Sequence, residues 1–123
     1  MSVDFPIASI AIAGVPYVVA VAADPEPRAQ GLMGVADLGD LDGMLFEFSE
    51  ESELSFWMKD TLIDLDIAFF DEEASLVSVQ TMTPCTSDPC PIYRSGGPAR
   101  YAVEVPAGLF GTLPSDASLT VER

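Results

Sequence analysis

Histidine is absent from this sequence, which also contains a single lysine, Lys59, and only two cysteines. Without histidine there is no imidazole to act as the base of a serine or cysteine catalytic triad. A structural zinc site would need carboxylates or a second subunit to supplement two thiolates. The phosphate-binding pattern GxxxxGK is also missing. The sequence therefore predicts neither a metal site nor a cofactor.

Basic residues are scarce: five Lys and Arg stand against 20 Asp and Glu, which gives a net charge of −15. Such a charge repels the phosphate backbone of nucleic acids and anionic lipid head groups. An apolar stretch at 7–23 is interrupted by Gly14 and Pro16 and follows no basic segment, so it resembles neither a signal peptide nor a membrane span. We expect no nucleic-acid partner and no membrane span, and a protein partner stays unknown.

The cellular compartment is left open by the sequence. Two cysteines are compatible with a reducing or an oxidising environment. The chain as written suits the cytoplasm, whereas an envelope or extracellular location follows if a leader was removed.

The 123 residues, 49% of them hydrophobic, fit a single domain over positions 1–123. Short apolar runs alternate with turn residues, and no long helical segment separates them. This pattern predicts a mainly β fold, a compact antiparallel sandwich or closed barrel of about eight short strands with one or two short helices.

Local signals place the individual elements. A helix is expected from Pro25, capped by Asp24, to Gly34. The segment 84–98 is expected to be a long ordered loop, and 106–113 one or two helical turns. The expected strands are three hairpins, 7–13 with 17–23, 44–48 with 54–58 and 66–70 with 75–81, followed by single strands at 100–105 and 117–122.

Lys59 lies in the most apolar part of the chain, next to Trp57 on the same face of the predicted strand 54–58. Burying an ammonium group costs several kcal/mol unless acceptors receive it. The sequence offers three nearby carboxylates: Asp60, Asp64 and Asp66. We predict a Lys/Asp site that forms a salt bridge, anchors an anionic group or supplies a general base.

Two further groups carry possible chemistry. Cys85 and Cys90 are five residues apart and form either a disulfide or an unpaired pair of thiols, with metal or redox use less favoured. Arg100 begins a predicted strand, where its guanidinium could bind a carboxylate in a bidentate manner. Glu104, on the same face of that strand, is a possible internal partner.

Six ordered blocks of the sequence resemble the bacterial and archaeal DUF192 family: RAQGLM (28–33), GMLF (43–46), FWMKDT (56–61), LDI (65–67), DPCP (88–91) and ARYAVEVPAG (99–108). The resemblance covers nearly the whole chain and implies a compact, mostly β barrel or sandwich. It implies a site without naming its chemistry. Members often have Asn where this chain has Asp60. The motif positions carried by this chain are Arg28, Gly31, Leu32, Met33, Trp57, Met58, Lys59, Thr61, Asp66, Cys90, Tyr101, Glu104 and Pro106.

Three functions are compatible with these observations. The favoured one is a binding module whose cleft takes a small polar or sugar-like ligand. The alternative is a structural or protein-interaction domain in which the motif residues stabilise the fold, and the third is an enzyme with Lys59 and Asp66 as acid and base. The expected ligand-binding residues are Arg28, Trp57, Lys59, Asp66 and Arg100.

Overall fold

The structure is a computed structural model that describes residues 5–122. Seven strands of this part of the chain form one curled sheet in the order β5-β4-β6-β3-β2-β1-β7. One short helix precedes the third strand. The elements are β1 (Ile7–Ile12), β2 (Val15–Ala22), α1 (Pro25–Gln30), β3 (Gly43–Phe56), β4 (Leu65–Phe70), β5 (Leu76–Met82), β6 (Tyr93–Pro106) and β7 (Leu119–Glu122).

The curled sheet is a half-barrel, so the mainly β class is confirmed and the closed barrel of about eight strands is wrong. The sheet is also not purely antiparallel, because β2 and β3 run parallel from the Val19–Gly43 pair to the Ala22–Phe46 pair. An isolated bridge between Ser75 and Ser118 links the starts of the two edge strands, where the Leu76 N–H donates to the Ala117 carbonyl at 3.0 Å and the Leu119 N–H to the Ala74 carbonyl at 2.9 Å.

The expected hairpin between 44–48 and 54–58 is replaced by a single 14-residue strand, β3. Its polar middle, Ser49–Glu53, predicted a turn. In the structure this exposed segment continues along β6, with register shifts between Glu47 and Ser52 and between Glu53 and Ser55. Pairing with a distant strand therefore overrides the local turn signal.

Other boundaries also differ from the sequence expectations. Helix α1 ends at Gln30 because Gly31 leaves the helical conformation, with φ of 49° and ψ of −133°. The segment 106–113 forms turns and no helix. Strand β6 begins at Tyr93, inside the expected loop.

Two apolar cores lie on opposite faces of the central strands, since neighbouring residues of a strand point to opposite sides. The first contains Met44, Phe46, Ile67, Phe69 and Ala102, and residues of the irregular segments, such as Leu32 and Met58, pack into it. The second contains, among others, Ile12, Val19, Leu45, Phe70 and Val103. Both faces of the central strands are thus occupied, which explains why β4 is buried along its whole length.

Candidate functional site

A cleft of about 370 Å³ opens on the face of the sheet that carries the first core. Its volume lies within the roughly 300–1,000 Å³ typical of small-molecule sites. One wall is α1 with the turn that follows it, and the other is built from β3 and the residues after it. The lining residues are Arg28, Ala29, Gln30, Gly31, Leu32, Met33, Phe46, Phe48, Ser55, Phe56, Trp57, Thr61, Ile92 and Glu104.

Arg28 fixes the first wall to the sheet. Its Nη1 donates hydrogen bonds to the carbonyl oxygens of Ala23 at 2.6 Å and Glu47 at 3.0 Å. Its guanidinium lies 4.7 Å from the centre of the Phe48 ring. The charge of Arg28 is therefore already stabilised by carbonyls and an aromatic face.

Gly31 brings the turn after α1 close to the sheet. It is buried, and a Cβ atom at this position would lie 3.3 Å from Cζ of Phe46. Its φ of +49° is in a region that side chains seldom adopt. A glycine thus allows the wall to approach the aromatic lining.

Glu104 contributes the buried carboxyl group of the cleft. It lies on β6 opposite Met44 of β3 and Ile67 of β4, and 4% of its surface is exposed. No residue between 5 and 122 forms a hydrogen bond or ion pair with its carboxyl oxygens. Every fully enclosed side-chain oxygen or nitrogen in this range has a partner. The Glu104 oxygens must therefore meet the space of the cleft.

Burial raises the pKa of Glu104 from 4.5 to about 8, because an ionised carboxylate loses its hydration there. At neutral pH the group is mostly a protonated carboxylic acid. It can donate one hydrogen bond and accept others. A cation close to it would favour the ionised form instead.

Trp57 lines the cleft and is 45% exposed, while the ammonium of Lys59 lies 5.3 Å from the centre of its ring. The two side chains are therefore in contact, although Trp57 lines the cleft and Lys59 does not. No carboxylate within the described residues lies within 4.0 Å of Lys59 Nζ. The expected lysine–aspartate salt bridge is absent from this part of the chain, and the ammonium is stabilised by the indole instead.

Lys59 lines a second, smaller hollow of about 150 Å³ beside the disulfide. Cys85 and Cys90 are bonded, with their Cα atoms 5.6 Å apart. The backbone of Cys85 forms an isolated bridge with Lys59, and its N–H donates to the Met58 carbonyl at 3.4 Å. The disulfide loop is thus attached to the segment that carries Trp57 and Lys59.

Asp60 lies in the turn that follows Trp57 and Met58. The Thr61 N–H donates to the Met58 carbonyl at 3.1 Å, and Asp60 has φ of 58°. Asn and Asp adopt this left-handed conformation more readily than other side chains. An Asn at this position, as in the resembling family, would fit the same turn.

Asp66 and Arg100 line neither hollow. The carboxylate of Asp66 accepts hydrogen bonds from Thr81 Oγ1 at 2.6 Å and from the Gly108 N–H at 2.8 Å. Arg100 Nε donates to the Phe48 carbonyl at 2.9 Å and makes no bond to Glu104. Of the five expected ligand-binding residues, Arg28 and Trp57 are brought together in the larger cleft.

Glu104 was not among the expected site residues, although the sequence contained a signal for it. It interrupts an otherwise apolar run between Ala102 and Val105. An acid inside such a run is buried with it once both faces of the strand are covered. The sequence named Glu104 as a possible partner of Arg100, less direct than a partner on a neighbouring strand, and in the structure Arg100 donates to the Phe48 carbonyl of β3.

Comparison with known families identifies the class of the protein. The DUF192 family model, described as an uncharacterized ACR, matches residues 8–119. The chain therefore belongs to the DUF192 family. No curated protein matches the chain.

Two solved structures are similar to it. A protein from Sinorhizobium meliloti 1021, provisionally described as a transcription regulator, has a TM-score of 0.85 and 26% identity over 98% of both chains. A protein of unknown function from Novosphingobium aromaticivorans DSM 12444 has a TM-score of 0.81 and 25% identity, covering 100% of this chain and 90% of that chain. The half-barrel is thus shared with these structures, and neither description establishes an activity.

Proposed function

We propose that this DUF192 domain binds a small ligand in the cleft between α1 and β3. One observation carries the proposal: the Glu104 carboxyl is buried at the cleft without a hydrogen-bond partner among residues 5–122. A buried polar group without a partner is costly, and proteins seldom retain one without a compensating role. A ligand with a complementary polar group would satisfy it.

The rest of the lining defines the other part of the ligand. The cleft contains four aromatic rings: Phe46, Phe48, Phe56 and Trp57. Phe56 packs edge-on against Phe46 at 5.0 Å and against Phe48 at 6.5 Å between ring centroids. Rings in such a cluster lose little freedom on binding and offer a large apolar surface. The proposed ligand has a flat or apolar body, such as a sugar face or a ring, and one polar group.

The composition argues against nucleic-acid binding, the function that the description of the Sinorhizobium protein as a transcription regulator would suggest. The chain has a net charge of −15, and Arg28, the cation that lines the cleft within the described residues, already donates to carbonyl oxygens and lies over a ring. Few cations remain to neutralise phosphates. The helix available in residues 5–122 has six residues, too short to cross a membrane.

A second candidate is a protein-interaction surface at the same place. Trp57 and Ile92 line the cleft with 45% and 49% of their surfaces exposed, and neighbouring Leu62 is 56% exposed. Exposed apolar side chains around a hollow are typical of sites that dock a partner. Acid–base catalysis by Lys59 and Asp66 has weaker support, because both oxygens of Asp66 accept internal hydrogen bonds.

Trp57 provides the test, because it is the only tryptophan of the chain and lies in the cleft. A panel of monosaccharides and small substituted benzenes should include compounds that shift the Trp57 indole NMR signal in a saturable way. Glu104→Gln should weaken that binding, whereas Glu50→Gln, an exposed position on β3, should not. If no compound shifts the signal, or if both variants behave alike, the cleft is not the binding site.

A further inference from the structure

Within residues 5–122, the Glu104 carboxyl has no ion pair with a positively charged group that would stabilise its ionised form. Its neighbours on the adjacent strands are apolar, Met44 on β3 and Ile67 on β4. Among the described residues that line the cleft, Thr61 is neutral, and Arg28 is the one charged side chain besides Glu104. The cleft therefore contains an acid for which residues 5–122 provide no opposite charge.

Arg28 does not fill this role. Its Nη1 is occupied by the carbonyl oxygens of Ala23 and Glu47, and its plane lies over Phe48. Desolvation is the cause of the raised pKa of Glu104, with no lowering contribution from Arg28. The Arg28 guanidinium therefore stabilises the cleft wall, and it does not form an ion pair with Glu104.

The aromatic wall already stabilises cations. Arg28 lies 4.7 Å from the ring centre of Phe48, and Lys59 Nζ lies 5.3 Å from that of Trp57. Ring faces carry partial negative charge, which attracts a cation most strongly where water is excluded. The net charge of −15 adds a field that concentrates cations near the surface and repels anions.

We infer that the ligand of this cleft is a small organic cation, an ammonium group on an apolar body, whose charge is received by the Glu104 carboxylate and whose body packs on the aromatic rings. This inference rests on the function proposed above and names the class of ligand. On binding, the protonated Glu104 transfers its proton to solvent, and the ammonium group keeps its own proton. The product is a buried ion pair held between aromatic walls.

Proton release is the distinguishing property of this mode of binding. With a pKa of about 8, Glu104 at pH 7 releases about 0.9 proton per ammonium ion bound. The affinity should rise about tenfold between pH 6 and pH 7 and by only about another factor of two above pH 8. A neutral or anionic ligand that accepts a hydrogen bond from the protonated acid would show the opposite trend.

Three probes of one shape test the charge: benzylammonium, benzyl alcohol and benzoate. Titration calorimetry in buffers of different ionisation enthalpy measures affinity and proton release together. We expect benzylammonium to bind at least tenfold more tightly than the other two and to release a proton. Glu104→Gln should lower its affinity at least tenfold and abolish the pH dependence, while Glu50→Gln leaves both unchanged.

The outcomes separate this inference from the proposed function. If benzoate or benzyl alcohol binds as tightly as benzylammonium, or if binding takes up protons, the cleft is a binding site but not one for cations. If none of the probes binds at millimolar concentration and the wider panel also fails to shift the Trp57 signal, both proposals fall. If benzylammonium binds equally well to the wild type and to Glu104→Gln, Glu104 does not receive the charge.

Discussion

Asp66 and Glu104 are buried acids on adjacent strands, yet they differ in what their oxygens contact. Glu104 lies opposite Ile67 on the face of the first core, so the side chain of Asp66, one residue away on β4, points to the other face. There Asp66 accepts hydrogen bonds from Thr81 and Gly108. Glu104 accepts none from the described residues and faces a cleft.

The difference separates a structural acid from a candidate functional one. Asp66 ties β4 to β5 and to the turn that follows β6, so its carboxylate is part of the fold. Burying the Glu104 carboxyl costs free energy, and no hydrogen bond from residues 5–122 offsets that cost. Both acids are motif positions, and the sequence alone favoured Asp66 over Glu104 as a site residue. Four predictions test the contrast, beginning with the largest expected effect.

The stability of the wild type should depend on Glu104 and pH in a characteristic way. Because its folded pKa of about 8 exceeds that of an unfolded glutamate, the folded state keeps a proton that the unfolded state has lost between these values. The contribution of Glu104 to the stability of the folded state is therefore fully present below about pH 4.5 and is lost as the pH rises through about 8. The free energy of unfolding of Glu104→Gln, relative to that of the wild type, should therefore increase by about 3 kcal/mol as the pH rises from 5 to 7.5.

Urea denaturation of both proteins across this range measures the difference, and the other acids cancel because they are common to both. Glu50→Gln is the control, since this exposed side chain should leave a constant difference. A Glu104→Gln protein that stays less stable than the wild type at every pH would show that the acid has a structural partner.

Removing Asp66 should have the opposite sign. Asp66→Ala leaves the Gly108 N–H and the Thr81 hydroxyl without their acceptor. We expect a loss of about 2.5 kcal/mol in the free energy of unfolding, because hydrogen bonds to a charged group are worth about 1.5–3 kcal/mol each and Thr81 can turn to water. Thermal and urea denaturation at pH 7 measure it. A loss below about 0.5 kcal/mol would remove the distinction between the two acids.

The sequence predicted the local parts of the fold well. The opening hairpin and the hairpin of β4 with β5 follow from adjacent apolar runs separated by short turns, and both exist in the structure. The parallel pairing of β2 with β3 and the long pairing of β3 with β6 join segments that are far apart in sequence. Local patterns carry little information about such partners, so Ser49–Glu53 looked like a turn.

The candidate site was predicted only in part, because it too depends on segments that are far apart in sequence. Trp57 and Lys59 are in contact as predicted, although β3 ends at Phe56 and neither residue lies on the strand whose alternation suggested it. Alternation along a strand does not specify which strands lie side by side or what covers each face, and these decide that Asp66 lies across the sheet from the cleft. Arg28 and Trp57 line the cleft as expected of a ligand site, and their role in binding stays a prediction. Glu104 became prominent only once its neighbours were known.

The third prediction concerns the cleft wall that faces Glu104. Gly31→Ala places a methyl group 3.3 Å from the Phe46 ring at a backbone φ of +49°. We expect a loss of about 1.5 kcal/mol in stability, in the range for a side chain in an unfavourable backbone conformation. Binding of any cleft ligand should weaken as well. Gly96→Ala is the control, because its φ is also positive but nothing lies within 4 Å of an added Cβ. Equal binding by both variants would place the ligand elsewhere.

The smallest effect is expected at Lys59, the residue that the sequence made most prominent. Its ammonium has an indole contact at 5.3 Å and no carboxylate within 4.0 Å among residues 5–122. Lys59→Met keeps the apolar stem and removes a partly exposed cation–π contact, so the free energy of unfolding should fall by only about 0.5 kcal/mol. Lys59→Arg should retain most of it, because a guanidinium can also lie over the ring. A loss above about 2 kcal/mol for Lys59→Met would reveal an ion pair of the kind that the apolar setting of this lysine first suggested. Lys59 would then belong with Asp66 among the charged residues that stabilise the fold.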